Sequence, residues 1–447
     1  MSPPPSRISR KGGVVVYKSP KYREPAVNQV VGTVSELFAG VGGFRIALAR
    51  SGWKTVFSNQ WEPSTKLQHA SDCYVRNFGP DGHSNENFTS LVDRHVRTDG
   101  NEVPRTDLIV GGFPCQDYSV ARTLNSAKGL EGKKGVLWWD IHKLIEANKP
   151  HYVFLENVDR LLKSPSSQKG RDFAVMLKTL GSLEYHIEWR VSNAADYGFP
   201  QRRKRVFIVA TKLSSNLVCE FDALKCIQAG GVLARALPIK RLANSLEEIK
   251  LEGSPDMISE SFGKFGGRSP FDSAGVFLDG VAYTTPIEAR HPKRNMVLGD
   301  VLQADPVEES FWVDQNRVKD WESLKGAKKI VREHKGSGEP YVYAEGAMAF
   351  PDSLAKPSRT VLTGEGGSSP SRFKHVVEID GRLRRLTPIE LERLNGFPDD
   401  WTLRTDSRNL SNSTRAFFMG NALIIGQVAR IGKVLANDFV KRPFKAD

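Results

Sequence analysis

From Gly32 to about Thr211, short apolar runs alternate with stretches whose apolar residues recur at helical spacing. The runs Val34–Leu37, Thr55–Ser58, Leu108–Val110, Val153–Leu155, His186–Val191 and Val206–Ala210 are the predicted strands. Helical spacing appears around Phe44–Arg50, Leu137–Ala147 and Phe173–Leu180. Strands that alternate with helices predict an α/β fold built on a doubly wound, mainly parallel sheet. Ligands of such sheets gather at the carboxyl ends of the strands. That places Phe38–Gly43, Asn59–Glu62, Gly111–Cys115 and Glu156–Asn157 on one rim.

The rhythm is lost over residues 212–380, where Gly-, Ser- and Pro-rich patches appear at Gly253-Ser-Pro, Gly266-Gly-Arg-Ser-Pro and Gly364-Glu-Gly-Gly-Ser-Ser-Pro. This reads as a second, loop-rich domain inserted into the first. The helical pattern returns after Gly381. Thr387-Pro-Ile-Glu390 has the form of an N-cap, a proline in the first turn and a capping-box acid. A last amphipathic helix is predicted over Ile424–Phe439. The expected organisation is a basic, disordered arm over 1–32, a catalytic domain over 33–211 completed by 381–447, and an inserted domain over 212–380.

A chain of 447 residues fits one large or two ordinary domains. It has no uninterrupted apolar run long enough to span a membrane, and its first residues lack the apolar stretch of a secretory signal. Four cysteines fit neither a disulfide scaffold nor the paired spacing of a zinc site. A protein of the reducing cytoplasm, without a membrane partner, is expected. Lys and Arg outnumber Asp and Glu by 64 to 51, for a net charge of +13. The first 33 residues hold six of the cations and one acid. Such an excess suits nucleic acid but needs a second signal.

That signal comes from the rim. Cys115 follows Gly-Gly-Phe-Pro on a loop past a strand, a better position for a nucleophile than for a core thiol. Glu156 closes an apolar strand, where a carboxylate needs a partner such as an arginine of Gln201-Arg-Arg-Lys-Arg205. Trp61 suits either the core or an adenine ring. The glycines of Phe38-Ala-Gly-Val-Gly-Gly43 allow close backbone approach, but their spacing is not that of a dinucleotide site.

Taken together, Glu36-Leu-Phe-Ala-Gly-Val-Gly-Gly-Phe44, Gly112-Phe-Pro-Cys-Gln116, Glu156-Asn-Val158 and Asn193-Ala-Ala-Asp-Tyr-Gly-Phe-Pro-Gln-Arg-Arg-Lys-Arg205 resemble a DNA (cytosine-5) methyltransferase of the bacterial restriction-modification type. Arg385-Leu-Thr-Pro-Ile-Glu390, Leu394-Asn-Gly-Phe-Pro398 and Gly420-Asn-Ala422 continue the resemblance in order, over about residues 33–436. It implies methyl transfer from S-adenosylmethionine to C5 of a cytosine flipped out of duplex DNA, through a covalent Cys–C6 adduct. Cys115 matches the nucleophile and Glu156 the group at N3. Arg203 and Arg205 match the arginines that hold the site, the latter resembling a contact to the cytosine O2. A closing loop corresponds to Gln116–Gly135.

The resemblance assigns cofactor contacts to Phe38, Gly40, Gly43, Gln60, Trp61, Glu62, Phe113, Pro114, Leu137, Asn421 and Ala422. Gln60 stands where the family usually has a glutamate for the ribose hydroxyls, so Glu62 is the alternative; Asn87 or Glu86 stands for a further acid. Residues 212–380 correspond to the target-recognition region, with expected DNA contacts at Gln116, Gln201, Thr360, Arg372 and Lys374. No metal is expected. A cognate restriction endonuclease outside any stable complex, a monomeric state and a place at the bacterial nucleoid complete the expectations. An RNA (tRNA) cytosine-5 methyltransferase is the alternative, and the length of the insertion favours DNA.

Overall fold

A computed structural model describes residues 9–11, 14–113, 137–213, 222–241, 245–263, 267–304, 306–333 and 338–441. The chain divides into two compact units. The larger comprises Tyr22–Tyr197, Arg203–Lys293 and Leu423–Asp447; the smaller comprises Met1–Lys21, Gly198–Arg202 and Arg294–Ala422. Within the arm expected to lack structure, strands β1 (Ser9–Lys11) and β2 (Val14–Val16) pair as an antiparallel hairpin.

The larger unit carries β3 (Gly32–Leu37), β4 (Trp53–Asn59), β5 (His83–Ser84), β6 (Leu108–Gly111), β7 (Tyr152–Val158), β8 (Tyr185–Asn193), β9 (Lys204–Lys212), β10 (Glu247–Lys250), β11 (Ala274–Leu278) and β12 (Val281–Thr285). They form one sheet in the order β10-β12-β11-β8-β9-β7-β6-β3-β4-β5. From β5 to β7 every neighbour is parallel. β9 is antiparallel to both β7 and β8. The six strands predicted from apolar runs are all present, so the α/β class with a doubly wound sheet holds; the sheet is mixed, parallel from β5 to β7 and antiparallel from β7 out to β10.

The domain boundaries differ from expectation. Residues 247–285 supply three antiparallel strands to the catalytic sheet itself, and the long stretch of the smaller unit runs from Arg294 to Ala422, starting later and ending later than the expected insertion. The local signal is Asp279-Gly280, which joins β11 to β12 with both residues at positive φ (+50° and +81°). That is the backbone of a two-residue hairpin turn. Its strands are short, and composition alone does not separate them from loops.

Alternation along β7 gives the sheet two cores. Val153 and Leu155 join a core with the helices Phe88–Arg97, Leu137–Asn148 and Arg171–Ser182. Phe154 points the other way and meets Phe44 of the helix Gly43–Ala49, ring centroids 5.2 Å apart. That helix packs on the C-terminal helix Ile425–Lys441, where Gly432 leaves room for Leu48. β3 and β6 flank the point where the strand order reverses, so the ends at Leu37 and Gly111 open on the crevice that such folds use for ligands.

Glu36 holds that crevice in shape. Fully buried on β3, it accepts the backbone N–H groups of Phe44 (3.1 Å) and Arg45 (3.2 Å) and the hydroxyl of Tyr74 (3.0 Å). The N-cap residue of the helix, Gly42, has no side chain to serve these N–H groups. It sits at φ +88°, and a Cβ there would lie 2.1 Å from the Phe78 ring. A carboxylate on the neighbouring strand therefore meets the positive end of the helix.

Burial pushes the Glu36 carboxyl up to about 7, against the opposing pull of the Tyr74 hydroxyl and the Arg45 N–H. The native state then holds a proton that the unfolded chain releases near pH 4.5. The resulting stability is present below that pH and is lost as pH rises through about 7, an effect of about 3 kcal/mol. Glu36→Gln should therefore gain stability relative to the wild type between about pH 5 and pH 8, read as diverging thermal midpoints. Midpoints that stay parallel across the range would overturn this.

Candidate active site

The register of β9 against β7 sets Arg205 opposite Val158, Val206 opposite Asn157 and Phe207 opposite Glu156. Because side chains alternate, Glu156 and Arg205 share a face as diagonal neighbours. They close an ion pair, Arg205 Nε to Glu156 Oε1 at 2.9 Å. Arg203 lies two residues earlier and is fully buried. Burial and then the like charge of Arg205 push its guanidinium down to about 9, with Glu156 opposing. It is still a cation at neutral pH.

The carboxyl group of Glu156 also lies against the end of β6: a Cβ added at Gly112 would stand 3.5 Å from Glu156 Oε2. Asn157 donates from Nδ2 to the carbonyl of Phe113 (3.0 Å), while its Oδ1 accepts the N–H of Val158 (2.8 Å). The chain is thus held two residues before Cys115. Pro114, Cys115 and Gln116 lie outside the described residues, as does the expected closing loop Gln116–Gly135.

On the other side of the crevice, the turn after β3 runs through Phe38 (φ +53°) and Gly40 (φ +55°). A side chain at Gly40 would meet open space. The ring of Phe38 meets Phe88 edge-on at 4.8 Å. Gly43 opens the first helix. Gln60 ends β4 with its amide oxygen accepting the N–H of Gly40 (2.7 Å). Its amide nitrogen is the group left for a ligand. Glu62 is half-buried, and its carboxylate has no side-chain partner among the described residues; burial alone raises it. Trp61 is 37% exposed, so it is not the core residue that its type suggests. Phe113 is buried 6.4 Å from Trp138, and Leu137 is half-buried at the start of its helix.

Several expected contacts have other duties in the smaller unit. Gln201 is fully buried, donating to Asn395 Oδ1 (3.0 Å) and accepting the N–H of Val361 (3.0 Å). It joins segments of this unit and presents nothing to DNA. Lys374 is buried, with Nζ donating to the carbonyls of Gly367 (3.1 Å) and Ser369 (2.8 Å). Arg372 donates to the carbonyls of Leu324 (3.0 Å), Gly326 (2.8 Å) and Gly346, and pairs with Glu345 at 3.1 Å. Backbone carbonyls of this unit hold both cations. Thr360 is half-buried and donates to the carbonyl of Arg202 (2.6 Å).

Asn421 is exposed at the end of the helix Asn412–Asn421, and Ala422 caps it. Gly420 is required there: a Cβ would lie 2.3 Å from the backbone of Thr363. The candidates for a further acid have local partners. Asn87 is the N-cap of the helix Phe88–Arg97, accepting the N–H of Ser90 (3.0 Å), and Glu86 pairs with Arg94 at 2.6 Å. Sequence reasoning passed over Asn157 as a positioning group. Its adjacency to a strand-ending Glu was the available signal.

The sequence and the fold have clear counterparts. A family model described as C-5 cytosine-specific DNA methylase matches residues 32–437. The chain is 45% identical over 407 residues to the Type II methyltransferase M.Sau3AI of Staphylococcus aureus, covering 89% of this chain and 94% of that protein. It is 34% identical over 184 residues to M.HhaI of Haemophilus parahaemolyticus, covering 41% of this chain and 50% of that protein. The crystal structure of S. pombe Dnmt2 methyltransferase shares the fold, at a TM-score of 0.54 and 15% identity, over 91% of this chain and 99% of that one. The chain belongs to the C-5 cytosine-specific DNA methylase family and is a DNA cytosine-5 methyltransferase of the Type II restriction-modification kind.

Proposed function

We propose that the ion-paired Glu156 and Arg205, beside the strand end that leads to Cys115, form the cytosine site. The register that pairs them is the observation that carries this reading. The Cys115 thiolate adds to C6 of a flipped cytosine, and the carboxyl group of Glu156 meets N3, so electron density moves to C5. Arg205 holds Glu156 and meets the O2 side of the ring, and Arg203 keeps positive charge behind it. Once C5 is methylated, loss of its proton and departure of the thiol restore the aromatic ring. No described residue is assigned as the base.

S-adenosylmethionine, the donor that this family uses, supplies an electrophilic methyl group when bound. The residues at the β3 and β4 ends fit it. Gly40 leaves open space over the turn, Trp61 offers an accessible flat face, and Glu62 offers a carboxylate to the ribose hydroxyls. Phe38 and Gly43 lie in the turn and helix start that follow β3, and Phe113, Pro114, Leu137, Asn421 and Ala422 are assigned to the cofactor by family position.

Residues 247–285 are part of the catalytic sheet, so target recognition is assigned to residues 294–380, with Thr360 as a duplex contact. The enzyme acts as a monomer in the bacterial cytoplasm, at the nucleoid, and protects DNA against a separate cognate endonuclease.

Cys115→Ser should abolish transfer of labelled methyl groups to duplex DNA while binding of the duplex persists; turnover near the wild-type rate would refute the assignment. Label appearing in tRNA and not in DNA would favour the RNA reading. For the cofactor, calorimetry should show Glu62→Gln weakening S-adenosylmethionine binding by about tenfold, the loss of one charge-assisted hydrogen bond. Gln60→Ala should weaken it less, and the reverse order would transfer the ribose contact to Gln60.

A further inference from the structure

The smaller unit contains a ribbon whose strands, β13 (Lys328–Glu333) and β14 (Pro340–Glu345), pair only with each other among the described residues. Val331 and Val342 face each other across it and are 69% and 65% exposed; Ile330, on the opposite face, is 44% exposed. A lone two-stranded ribbon is marginally stable in water. Open valines on it call for an occupant.

Its base is firmly held. Arg372 donates to the carbonyls of Leu324, Gly326 and Gly346, just outside the two strands, and pairs with Glu345 at the end of β14. Glu345 also accepts the Tyr343 hydroxyl (2.6 Å). The guanidinium of Arg332 stacks 3.8 Å over the Tyr343 ring. With Glu345 neutralised by Arg372, the first strand presents Lys328, Lys329 and Arg332 against Glu333.

A ribbon held at its base, with a net-positive first strand and exposed methyl groups, matches one feature of duplex DNA. The major groove, about 12 Å wide, admits a two-stranded β-ribbon, and it displays the methyl groups of thymine. Phosphates on both sides of it take cations. We propose that β13 and β14 enter the major groove of the target duplex and discriminate its sequence, with Arg372 fixing the ribbon at its base. This rests on the assignment of the chain as a DNA methyltransferase. The expected reader Arg372 thus acts through the ribbon, as a positioning residue.

The test uses the full-length enzyme. Bisulfite sequencing of DNA modified by the wild type first gives the target word. A double variant, Val331→Asp with Val342→Asp, and the single variant Arg332→Ala are then compared on a cognate duplex and on one with a single base pair changed. Calorimetric binding of S-adenosylmethionine reports on folding. With cofactor binding intact, the double variant should lose at least about tenfold in kcat/KM on the cognate duplex, and its preference over the altered duplex should shrink. Arg332→Ala should lose less, and it decides the matter if the double variant fails to bind cofactor. Variants within twofold of the wild type and equally selective would overturn the proposal and leave the ribbon as a surface for another protein. A wild-type enzyme that methylates no duplex DNA would instead overturn the DNA assignment on which it rests.

Discussion

The antiparallel placement of β9 between β7 and β8 is the constraint on which the site depends. Without it, Glu156 and Arg205 would be residues from separate motifs, far apart in sequence. With it they become diagonal neighbours on one face. The side-chain period of a strand is two, so a slip by one residue would turn Arg205 to the opposite face and leave Glu156 without its cation. Such a slip is resisted over a long ladder. β9 pairs with β7 from Val158 to Tyr152 and with β8 from Asn193 to Tyr185, and most of its residues are fully buried. The geometry of the two site groups is thus fixed by the packing of a core strand.

A second constraint is the fate of charge. The net +13 invites a reading in which cations near the motifs face DNA. Many do not. Arg190 is buried on β8 and donates to the carbonyls of Ile227, Leu233 and Leu237. Glu188, on the same face, accepts the N–H groups of Val232 and Leu233. Between them they hold both ends of the helix Val232–Ala236, each sign at the end that the helix dipole favours. Lys374 and Arg372 satisfy carbonyls in the same way. Arg and Lys are the side chains with enough donors to bind several carbonyls at once, so an irregular, loop-rich unit recruits them as braces. A count of positive residues cannot separate braces from readers.

This difference explains how much of the protein is legible in its sequence. The parallel strands carry short apolar runs between helical stretches, and the Thr387–Glu390 capping box is a local pattern; it forms as read, with Thr387 Oγ1 accepting the N–H of Glu390 and Glu390 accepting that of Thr387. Glu156 and Arg205 were legible as candidates, because a carboxylate closing an apolar strand demands a partner. The roles of Arg372, Lys374 and Gln201 were not. Arg372 and Gln201 depend on groups distant in sequence, Lys374 on the carbonyls of Gly367 and Ser369 just before it, and backbone groups carry no sequence signature. β10 to β12 were missed for a related reason: they join the sheet through the long-range pairing of β11 with β8, and Asp279-Gly280 was their one local mark.

The turn at Gly40 shows how a departure from the family pattern is absorbed. The family usually places a glutamate at position 60, where this chain has Gln60. A neutral amide loses the charge-assisted pair to a ribose diol, but its oxygen still accepts the N–H of Gly40 and holds the turn. Glu36 already brings one buried carboxylate to the adjoining helix start, raised by burial. A glutamate in the nearly buried position of Gln60 would add a second anion under the same turn, at a further desolvation cost. Two residues on, Glu62 is half in solvent, where a carboxylate is retained at lower cost. Gln60 braces the turn, and the carboxylate stands two residues on, where burial is less complete.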